Sequence, residues 1–167
     1  LNYNSGSSGS YIESIKFMHK DWQYMLKMDE DIVLDNNCLN EMVTTAMKSN
    51  SNGMVGGKVL FYRDRKRIHA IGSKLKPWFS IAKGIGVGEI DQNQYDNLKH
   101  LDGLSGCMVL ISRRIYDEIG WFDSDYFLYY DDHDLMWYDV TWVGSEREAP
   151  RLSMALPFRS LGVRMGP

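Results

Sequence analysis

The sequence lacks several features that mark large classes of protein. Its 167 residues include only 2 cysteines and 4 prolines, which excludes a disulfide scaffold and a collagen-like chain. No apolar run approaches the roughly 18 residues that a membrane span requires, and residues 107–111 form an apolar run of strand length only. Neither Cys38 nor Cys107 has a CxxC partner, so we expect both to be buried packing residues.

The sequence also lacks a strong charge of either sign. Lys+Arg 19 against Asp+Glu 22 gives a net charge of −3, which argues against general binding of nucleic acid. With 44% hydrophobic and 25% charged residues, the composition is that of one ordinary globular domain. A chain of this length buries roughly two-thirds of its unfolded surface and needs no structural metal. Because no signal peptide is recognisable, we expect a cytoplasmic protein.

Short apolar runs alternate with helical periodicities along the chain. We predict strands at residues 24–28, 54–62 and 107–111, because these runs are apolar and of strand length. Helices are predicted at residues 12–18, after Asn36-Asn37, and from Arg114 to about Ile119. The apolar face predicted for the second helix consists of Leu39, Met42, Val43, Ala46 and Met47. This alternation favours an α/β sandwich with a mainly parallel sheet.

Three segments have unusual composition. The Gly/Ser-rich start, residues 1–10, is either a backbone-rich ligand surface or a linker. Residues 68–102 are glycine-rich without a sustained period, which is typical of a lid, a binding loop or disorder. Residues 141–167 hold four Arg but no Lys, Asn or Tyr. We therefore expect one domain over residues 1–140 and an atypical C-terminal tail over 141–167.

The acidic triplet Asp29-Glu30-Asp31 follows directly on the apolar run 24–28. In α/β proteins ligands bind at the carboxyl ends of strands, so these carboxylates are candidates for an oxygen-rich site. Hard divalent cations prefer such oxygens and complete their shell with substrate phosphate. The alternative is that the triplet is solvated and favours the start of the next helix.

A second acidic cluster, Asp131-Asp132-His133-Asp134, follows an aromatic run at residues 126–130. Carboxylates set among aromatic rings lose solvent, which raises the pKa of a carboxyl group and suits a general base. The alternative is that Asp131 or Asp132 caps a helix and that His133 is exposed. Two such clusters, a hundred residues apart, are the parts of a combined metal and base site.

These motifs together resemble glycosyltransferase family 2, most closely its rhamnosyltransferase and galactofuranosyltransferase-like members. The resemblance extends from about Asn4 to Leu135. It rests on Asn4-x-Gly6-x-x-Gly9-x-Tyr11, Trp22-x-Tyr24-x-Leu26-x-Met28-Asp29-x-Asp31, Gly56-Gly57, Gly103-x-x-Gly106, Arg113-Arg114, Ile119-Gly120-x-Phe122-Asp123 and Phe127-x-Tyr129-x-Asp131-Asp132-x-Asp134-Leu135.

The resemblance implies a GT-A fold, an α/β/α sandwich, and inverting transfer of a sugar from a nucleotide diphosphate donor to a hydroxyl of a polysaccharide or glycolipid. It implies that Asp29 and Asp31 hold Mn²⁺ or Mg²⁺ and that the donor lies against Asp29, Glu30 and Asp31. Asp132 matches the general base, and Asp131 stands beside it. The acceptor is expected to border Ser105, Gly106 and Trp121.

The chain also departs from this family pattern. It begins after the strands that hold the nucleoside, so we expect a GT-A domain that is incomplete at its N-terminus. Trp137-Tyr138 stand where relatives often have Arg, and no histidine follows His133. Two other classes stay open: a non-catalytic carbohydrate- or metal-binding fragment, and a core completed by a neighbour's strands as a homo-oligomer. Peripheral association of the parent protein with the inner face of the membrane is also open.

Overall fold

A computed structural model describes residues 4–48, 54–76, 81–96, 98, 101–127, 131–132, 134–135 and 163–165. Within these ranges the chain forms helices α1 (Gly6–Ile15), α2 (Cys38–Lys48) and α3 (Arg113–Ile119). The strands are β1 (Tyr24–Met28), β2 (Ile32–Val33), β3 (Val55–Gly56), β4 (Val59–Leu60), β5 (Ile68–Ala70), β6 (Gly72–Lys76), β7 (Ile81–Gly84), β8 (Gly103–Leu104), β9 (Met108–Ser112) and β10 (Val163–Met165).

The central sheet has the strand order β1-β9-β3. Every residue of β9 is buried, as expected for a continuous apolar run. Both β1 and β3 pair antiparallel with β9, so β1 and β3 run in the same direction. The carboxyl ends of β1 and β3 and the amino end of β9 therefore lie at one edge of this sheet. The loop at Asp29 and the turn at Gly106 meet at that edge.

Residues on β9 alternate between two hydrophobic clusters. Val109 and Ile111 belong to one cluster, which includes Ile115 of α3 and is contacted by Ile12 of α1. Met108 and Leu110 belong to the other, which includes the buried residues of α2. Because successive side chains of a strand point to opposite faces, the central sheet is covered by helices on both faces. The fold is therefore a mixed α/β fold, as the alternation in the sequence predicted.

Two further sheets flank the central one, with strand orders β2-β10-β4-β5 and β7-β6-β8. All described strand pairs are antiparallel except β10 with β4. The described pairs thus do not support the mainly parallel sheet that we expected. The physical reason is that β9 lies between β1 and β3 in the opposite direction, and β6 pairs antiparallel with both β7 and β8.

The predicted strand 54–62 is two strands in different sheets. β3 pairs with β9, whereas β4 pairs with β5 and β10. The change of sheet occurs at Gly57-Lys58, where the Lys58 side chain is only 4% exposed and its Nζ lies 2.8 Å from Asp91 and 3.1 Å from Asp96. This buried pairing ties the turn after β7 to the end of β3. Where described, residues 68–102 form strands β5, β6 and β7 followed by turns, so this segment is not a loop without secondary structure.

Two helices differ from their predictions. The Gly/Ser-rich start is helical from Gly6, so it is neither a linker nor an irregular loop there. The buried face of α2 is Cys38, Met42 and Ala46, whereas Leu39 and Met47, which we placed on the buried face, are 47% and 65% exposed. Residues at i, i+4 and i+8 lie on one side of a helix, and the set that begins at Cys38 faces the sheet.

None of the helices in the described ranges is long and apolar enough to cross a bilayer. Of the expected tail, residues 141–162, 166 and 167 lie outside the described residues, and Val163–Met165 forms β10 between β2 and β4. The domain boundary near residue 140 stays a prediction.

Candidate functional site

A cleft of about 690 Å³ opens at the edge of the central sheet where Asp29 and Gly106 meet. Its lining includes residues from both acidic clusters, so the segments at Asp29 and Asp131 share one cavity although about a hundred residues separate them. The described lining residues are Ser7, Tyr11, Lys27, Asp29, Ala70, Gly72, Ser73, Ala82, Gly84, Val87, Leu104, Ser105, Gly106, Cys107, Asp131 and Asp132.

Asp29 is held by groups from three parts of the chain. Its backbone N–H donates to the carbonyl oxygen of Cys107 at 2.9 Å, which fixes the end of β1 against the start of β9. Its Oδ1 accepts from Lys27 Nζ at 2.8 Å and from the Tyr11 hydroxyl at 3.4 Å. The carboxylate is 35% exposed, so it is paired and still open to the cleft.

Lys27 is the cation of this cleft. Its side chain is 8% exposed, its Nζ donates to Asp29 and to the carbonyl oxygen of Gly106, and it lies 4.7 Å from the centre of the Tyr11 ring. Burial lowers the pKa of Lys27, but the hydrogen bonds to Asp29 and Tyr11 and the negative charge of Asp29 outweigh this effect, so the pKa is raised from 10.5. The ammonium is therefore charged at neutral pH.

Tyr11 completes this group. Burial raises the pKa of the Tyr11 phenol, Lys27 lowers it and Asp29 raises it, and the result is above the usual 10.0. The phenol is therefore neutral at neutral pH and can donate its proton to the Asp29 carboxylate.

Asp131 lies at the amino-terminal end of α1. Its Oδ2 accepts hydrogen bonds from the Ser7 hydroxyl at 2.8 Å and from the Ser8 hydroxyl at 3.1 Å, and the residue is 8% exposed. The backbone N–H of Ser7 also donates to the carbonyl oxygen of Phe127 at 2.9 Å. Gly6 permits this approach because it has φ +72 and because any Cβ there would overlap the Phe127 backbone. Asp131 thus anchors the acidic segment to α1.

Asp132 faces the cleft more openly than Asp131, since it is half-buried. Its carboxylate stands directly against Gly106, where a Cβ would overlap Oδ2 of Asp132. Gly106 therefore links the two acidic segments. Its carbonyl oxygen accepts a hydrogen bond from Lys27, which also pairs with Asp29, and its Cα faces Asp132. The two clusters are connected through a single turn of the chain.

The cleft lining also includes small uncharged residues of both flanking sheets: Ala70 of β5, Gly72 of β6, and Ala82 and Gly84 of β7. Ser73 of β6 also lines the cleft: it is 7% exposed, and its hydroxyl has no hydrogen-bond partner among the described residues. Ser73 lies between two glycines, Gly84 on β7 and Gly103 on β8. The described lining therefore combines charged side chains with small uncharged residues.

The two cysteines have different surroundings. Cys38 is buried at the start of α2, and burial together with the charge of Asp35 raises the pKa of its thiol to about 11. Cys107 is half-buried and lines the cleft. Burial raises the pKa of Cys107 as well, with opposing effects from Ser105 and Lys27 and a further increase from Asp29. Only Cys38 is a buried packing residue as predicted.

Several predicted site residues do not line the cleft. Glu30 and Asp31 are exposed at the turn between β1 and β2. Trp121 lies in another groove beside α1 and α3, where it packs edge-on against Phe122 with ring centres 4.7 Å apart. His133 lies outside the described residues. Asp29, Asp131, Asp132, Ser105 and Gly106 do line the cleft.

The acids that follow Asp132 have a different environment. Asp134 accepts a hydrogen bond from the Tyr126 hydroxyl at 3.3 Å. Burial raises the pKa of Asp134, Tyr126 lowers it and the nearby Asp123 raises it, and the net direction is upward. Asp134 is not among the lining residues of the cleft, so its raised pKa reflects how its own segment is buried and is no evidence for a role in the cleft.

Sequence reasoning missed four residues at this site, namely Ser7, Ser8, Tyr11 and Lys27. Their residue types did not indicate a site. Serines in a Gly/Ser-rich segment indicate a loop, and a lysine inside an apolar run indicates an exposed position. One signal was available for Lys27: a lysine two residues before an aspartate on one strand places both on the same face.

The cleft offers oxygen donors for a hard cation. Among the described residues no group of three or more acidic, histidine or cysteine side chains converges on one point. A cation held by one or two carboxylates, with its shell completed by water and phosphate, needs no such group. Of the two predicted ligands, Asp29 lines the cleft and its carboxylate is 35% exposed, whereas Asp31 is exposed at the adjacent turn and does not line the cleft.

The chain matches no protein-family model, and no curated protein shows significant similarity to it.

Proposed function

We propose that this chain carries the catalytic site of an inverting glycosyltransferase of family 2 with a GT-A fold. It moves a sugar from a nucleotide diphosphate donor to a hydroxyl of a polysaccharide or glycolipid. The observation that carries the proposal is that Asp29 and Asp132 line one cleft of about 690 Å³. Sugar transfer needs a site for the leaving diphosphate and a base for the acceptor within one cavity.

In the proposed reaction Asp132 accepts the proton of the acceptor hydroxyl. The acceptor oxygen attacks the anomeric carbon and forms the new glycosidic bond, while the bond from that carbon to the diphosphate oxygen breaks and its electron pair leaves with the nucleotide. Attack from the opposite side inverts the configuration at the anomeric carbon. Asp132 suits this role because it is the more open of the two adjacent carboxylates.

Asp131 is a positioning residue in this proposal. Its carboxylate is occupied by the hydroxyls of Ser7 and Ser8, so it holds the segment rather than reacting. Ser105 and Gly106 border the acceptor from the turn before β9. We keep Trp121 out of this set, because it lies in another groove.

Asp29 and Asp31 are the proposed ligands of Mn²⁺ or Mg²⁺, and Glu30 lies between them at the donor side. The cation supplies positive charge to the departing diphosphate when it is bound. The charge of the cleft supports a role for a cation, because its described lining has three carboxylates and one ammonium: Asp29, Asp131, Asp132 and Lys27. This excess of negative charge would repel a diphosphate that enters without a cation.

Ligand-dependent thermal stability tests the proposal. We expect a rise in melting temperature when Mn²⁺ is combined with one of a panel of nucleoside diphosphates. At a ligand concentration of 100 times Kd the stabilisation is about 2.7 kcal/mol, or roughly 5 to 10 °C for a chain of this size. No rise with any diphosphate would overturn the donor assignment.

Substitution of the base tests the chemistry. Asp132→Asn should retain the stabilisation by Mn²⁺ and diphosphate and lower transfer to a glycan acceptor by about 10²- to 10⁴-fold. Asp125→Asn is the matched control, because Asp125 is exposed and lies outside the cleft. Normal transfer by Asp132→Asn would remove Asp132 from the mechanism.

The second candidate is a non-catalytic carbohydrate- or metal-binding fragment. The exposure of Glu30 and Asp31 away from the cleft favours it, because a cation there need not meet a diphosphate. Equilibrium binding of a sugar that is unchanged by nucleotide would support this function over the transferase.

A further inference from the structure

We propose that Lys27 couples cation binding to diphosphate binding: its ammonium occupies the Asp29 carboxylate until a diphosphate enters the cleft, so that the divalent cation and the diphosphate bind together. The proposal deepens the proposed function and depends on it for the diphosphate. The competition between Lys27 and the cation depends only on the contacts of Asp29.

The Lys27 ammonium is held by two acceptors. Lys27 Nζ lies 2.8 Å from Oδ1 of Asp29 and also donates to the carbonyl oxygen of Gly106. Its side chain is 8% exposed, and the Tyr11 ring covers one side of it at 4.7 Å. A buried ammonium must keep its acceptors, since unpaired charge is costly away from water. Lys27 therefore holds Asp29 tightly while no other partner is present.

The ammonium and a divalent cation compete for one carboxylate. A divalent cation bound to Asp29 would stand close to an ammonium that is already bound to the same group. Like charges at such a separation repel strongly, and more so in a partly buried site. The cation must therefore bind weakly as long as Lys27 remains on Asp29.

A diphosphate changes this competition. Its oxygens would complete the coordination of the cation and would give the ammonium of Lys27 a new acceptor inside the cleft that it lines. Lys27 could then leave Asp29 without losing a charged partner. Each ligand therefore increases the affinity for the other, and this coupling is reciprocal.

The test measures Mn²⁺ affinity by calorimetry, with and without a saturating nucleoside diphosphate. For the wild-type chain we expect the diphosphate to increase Mn²⁺ affinity about tenfold or more. Lys27→Met keeps the apolar stem and removes the charge; it should bind Mn²⁺ alone about fivefold tighter than wild type and lose most of the diphosphate effect.

Lys74→Met is the matched control. Lys74 is an exposed lysine that also pairs with an aspartate, Asp102, at 3.3 Å, and it lies outside the cleft. The control should bind Mn²⁺ as the wild type does.

Lys27→Arg keeps a charge at the position and should retain the coupling. It also serves as the folded variant if Lys27→Met does not fold, because loss of coupling in a folded Lys27→Arg would count against the proposal.

Two results would overturn the proposal. One is a Lys27→Met affinity for Mn²⁺ equal to or weaker than that of wild type, and the other is unchanged coupling in that variant. Failure of the proposed function gives a different pattern. Suppose that Lys27→Met binds Mn²⁺ more tightly than wild type, but that the diphosphate changes Mn²⁺ affinity in no variant. This result would support the competition between Lys27 and the cation at Asp29 and would reject a nucleotide diphosphate as the ligand of the cleft.

Discussion

The Ser7 hydroxyl lies 2.8 Å from Oδ2 of Asp131, although 124 residues separate them in the chain. Ser8, the next residue, donates to the same oxygen. The two hydroxyls connect the first helix to the second acidic segment and fix the position of the Asp131 carboxylate. The neighbouring Asp132 is thereby placed against Gly106, where the proposed acceptor lies.

Removal of both hydroxyls should destabilise the protein. In the double variant Ser7→Ala, Ser8→Ala the carboxylate of Asp131, which is 8% exposed, loses two donors. An unsatisfied buried acceptor costs about 1 to 3 kcal/mol, more when it is charged, so we expect a loss of roughly 2 to 3 kcal/mol in the free energy of unfolding. Urea unfolding monitored by circular dichroism measures it.

Ser14→Ala is the control for this double variant. Ser14 is on the same helix, but its hydroxyl donates to the carbonyl oxygen of Tyr11 within that helix. Its replacement should change stability by about 0.5 kcal/mol or less. Equal effects of Ser14→Ala and the double variant would show that Asp131 does not depend on Ser7 and Ser8.

Gly106 should tolerate no side chain while Asp132 is present. In Gly106→Ala the new Cβ would overlap the Asp132 carboxylate, so that carboxylate must move and the proposed base is displaced. We expect a loss of about 1 to 3 kcal/mol in stability together with loss of transfer. Thermal unfolding and a transfer assay on the same preparation measure the two effects.

A double-mutant cycle separates this contact from other effects of Gly106→Ala. Asp132→Gly removes the side chain that the new Cβ meets, so Gly106→Ala should cost less in that background. We expect a coupling free energy of about 1 kcal/mol or more between the two positions. A cost of Gly106→Ala that is the same in both backgrounds would contradict the overlap.

Local pattern predicted the strands at residues 24–28 and 107–111 and the helix before Gly120, because each has an apolar run or a clear end signal. It also singled out Asp29 and Asp132, since acids after apolar runs are recognisable. The burial of Lys27 could not be predicted, because it depends on a carbonyl oxygen 79 residues away at Gly106; the sequence indicated only that Lys27 and Asp29 share one face. Contacts at such separations leave no local signal.

The same reason explains the first helix and the flanking sheet. Residues 6–10 have a loop composition, yet they are helical because Ser7 and Ser8 bond to the distant segment at Asp131. Residues 68–84 have no sustained period because Gly72 and Gly84 face a cleft rather than a core. Tertiary contacts therefore determine these elements, and composition does not.

The stabilising effect of Lys27 should depend on pH in one direction. Burial lowers the pKa of Lys27, but the bonds to Asp29 and Tyr11 outweigh it and raise the pKa above 10.5. A group whose pKa is raised on folding contributes its stability fully below the unfolded pKa and loses it as pH rises through the folded pKa. We expect Lys27→Met to lower the free energy of unfolding by about 2 kcal/mol near neutral pH, because the Asp29 carboxylate loses its charged partner.

Denaturant unfolding of wild type and Lys27→Met across a pH series checks this dependence. The difference between the two proteins should be constant up to the unfolded pKa of 10.5 and should shrink at higher pH. Lys74→Met, which breaks an exposed pair, should differ from wild type by about 0.5 kcal/mol or less throughout. A difference for Lys27→Met that grows above that pH would contradict the ion pair.

Alkylation should distinguish the two cysteines and report on the cleft. Cys38 is 1% exposed and its thiol has a pKa of about 11, so almost none of it is the reactive thiolate at neutral pH. Cys107 is half-buried and lines the cleft beside Asp29. We expect iodoacetamide to modify Cys107 well before Cys38, as measured by mass spectrometry of peptides, and Mn²⁺ with a nucleoside diphosphate to slow that modification.

Cys107→Ser is the control, because it removes the cleft thiol and retains Cys38. Its labelling should be slow and unaffected by Mn²⁺ and diphosphate, and its diphosphate binding should persist, since Ser occupies less volume than Cys at the cleft wall. Wild-type protein alkylated at Cys107 should instead lose diphosphate binding, because the added group enters the cleft next to Asp29. Undiminished modification of Cys107 at saturating Mn²⁺ and diphosphate would place the diphosphate outside this cleft.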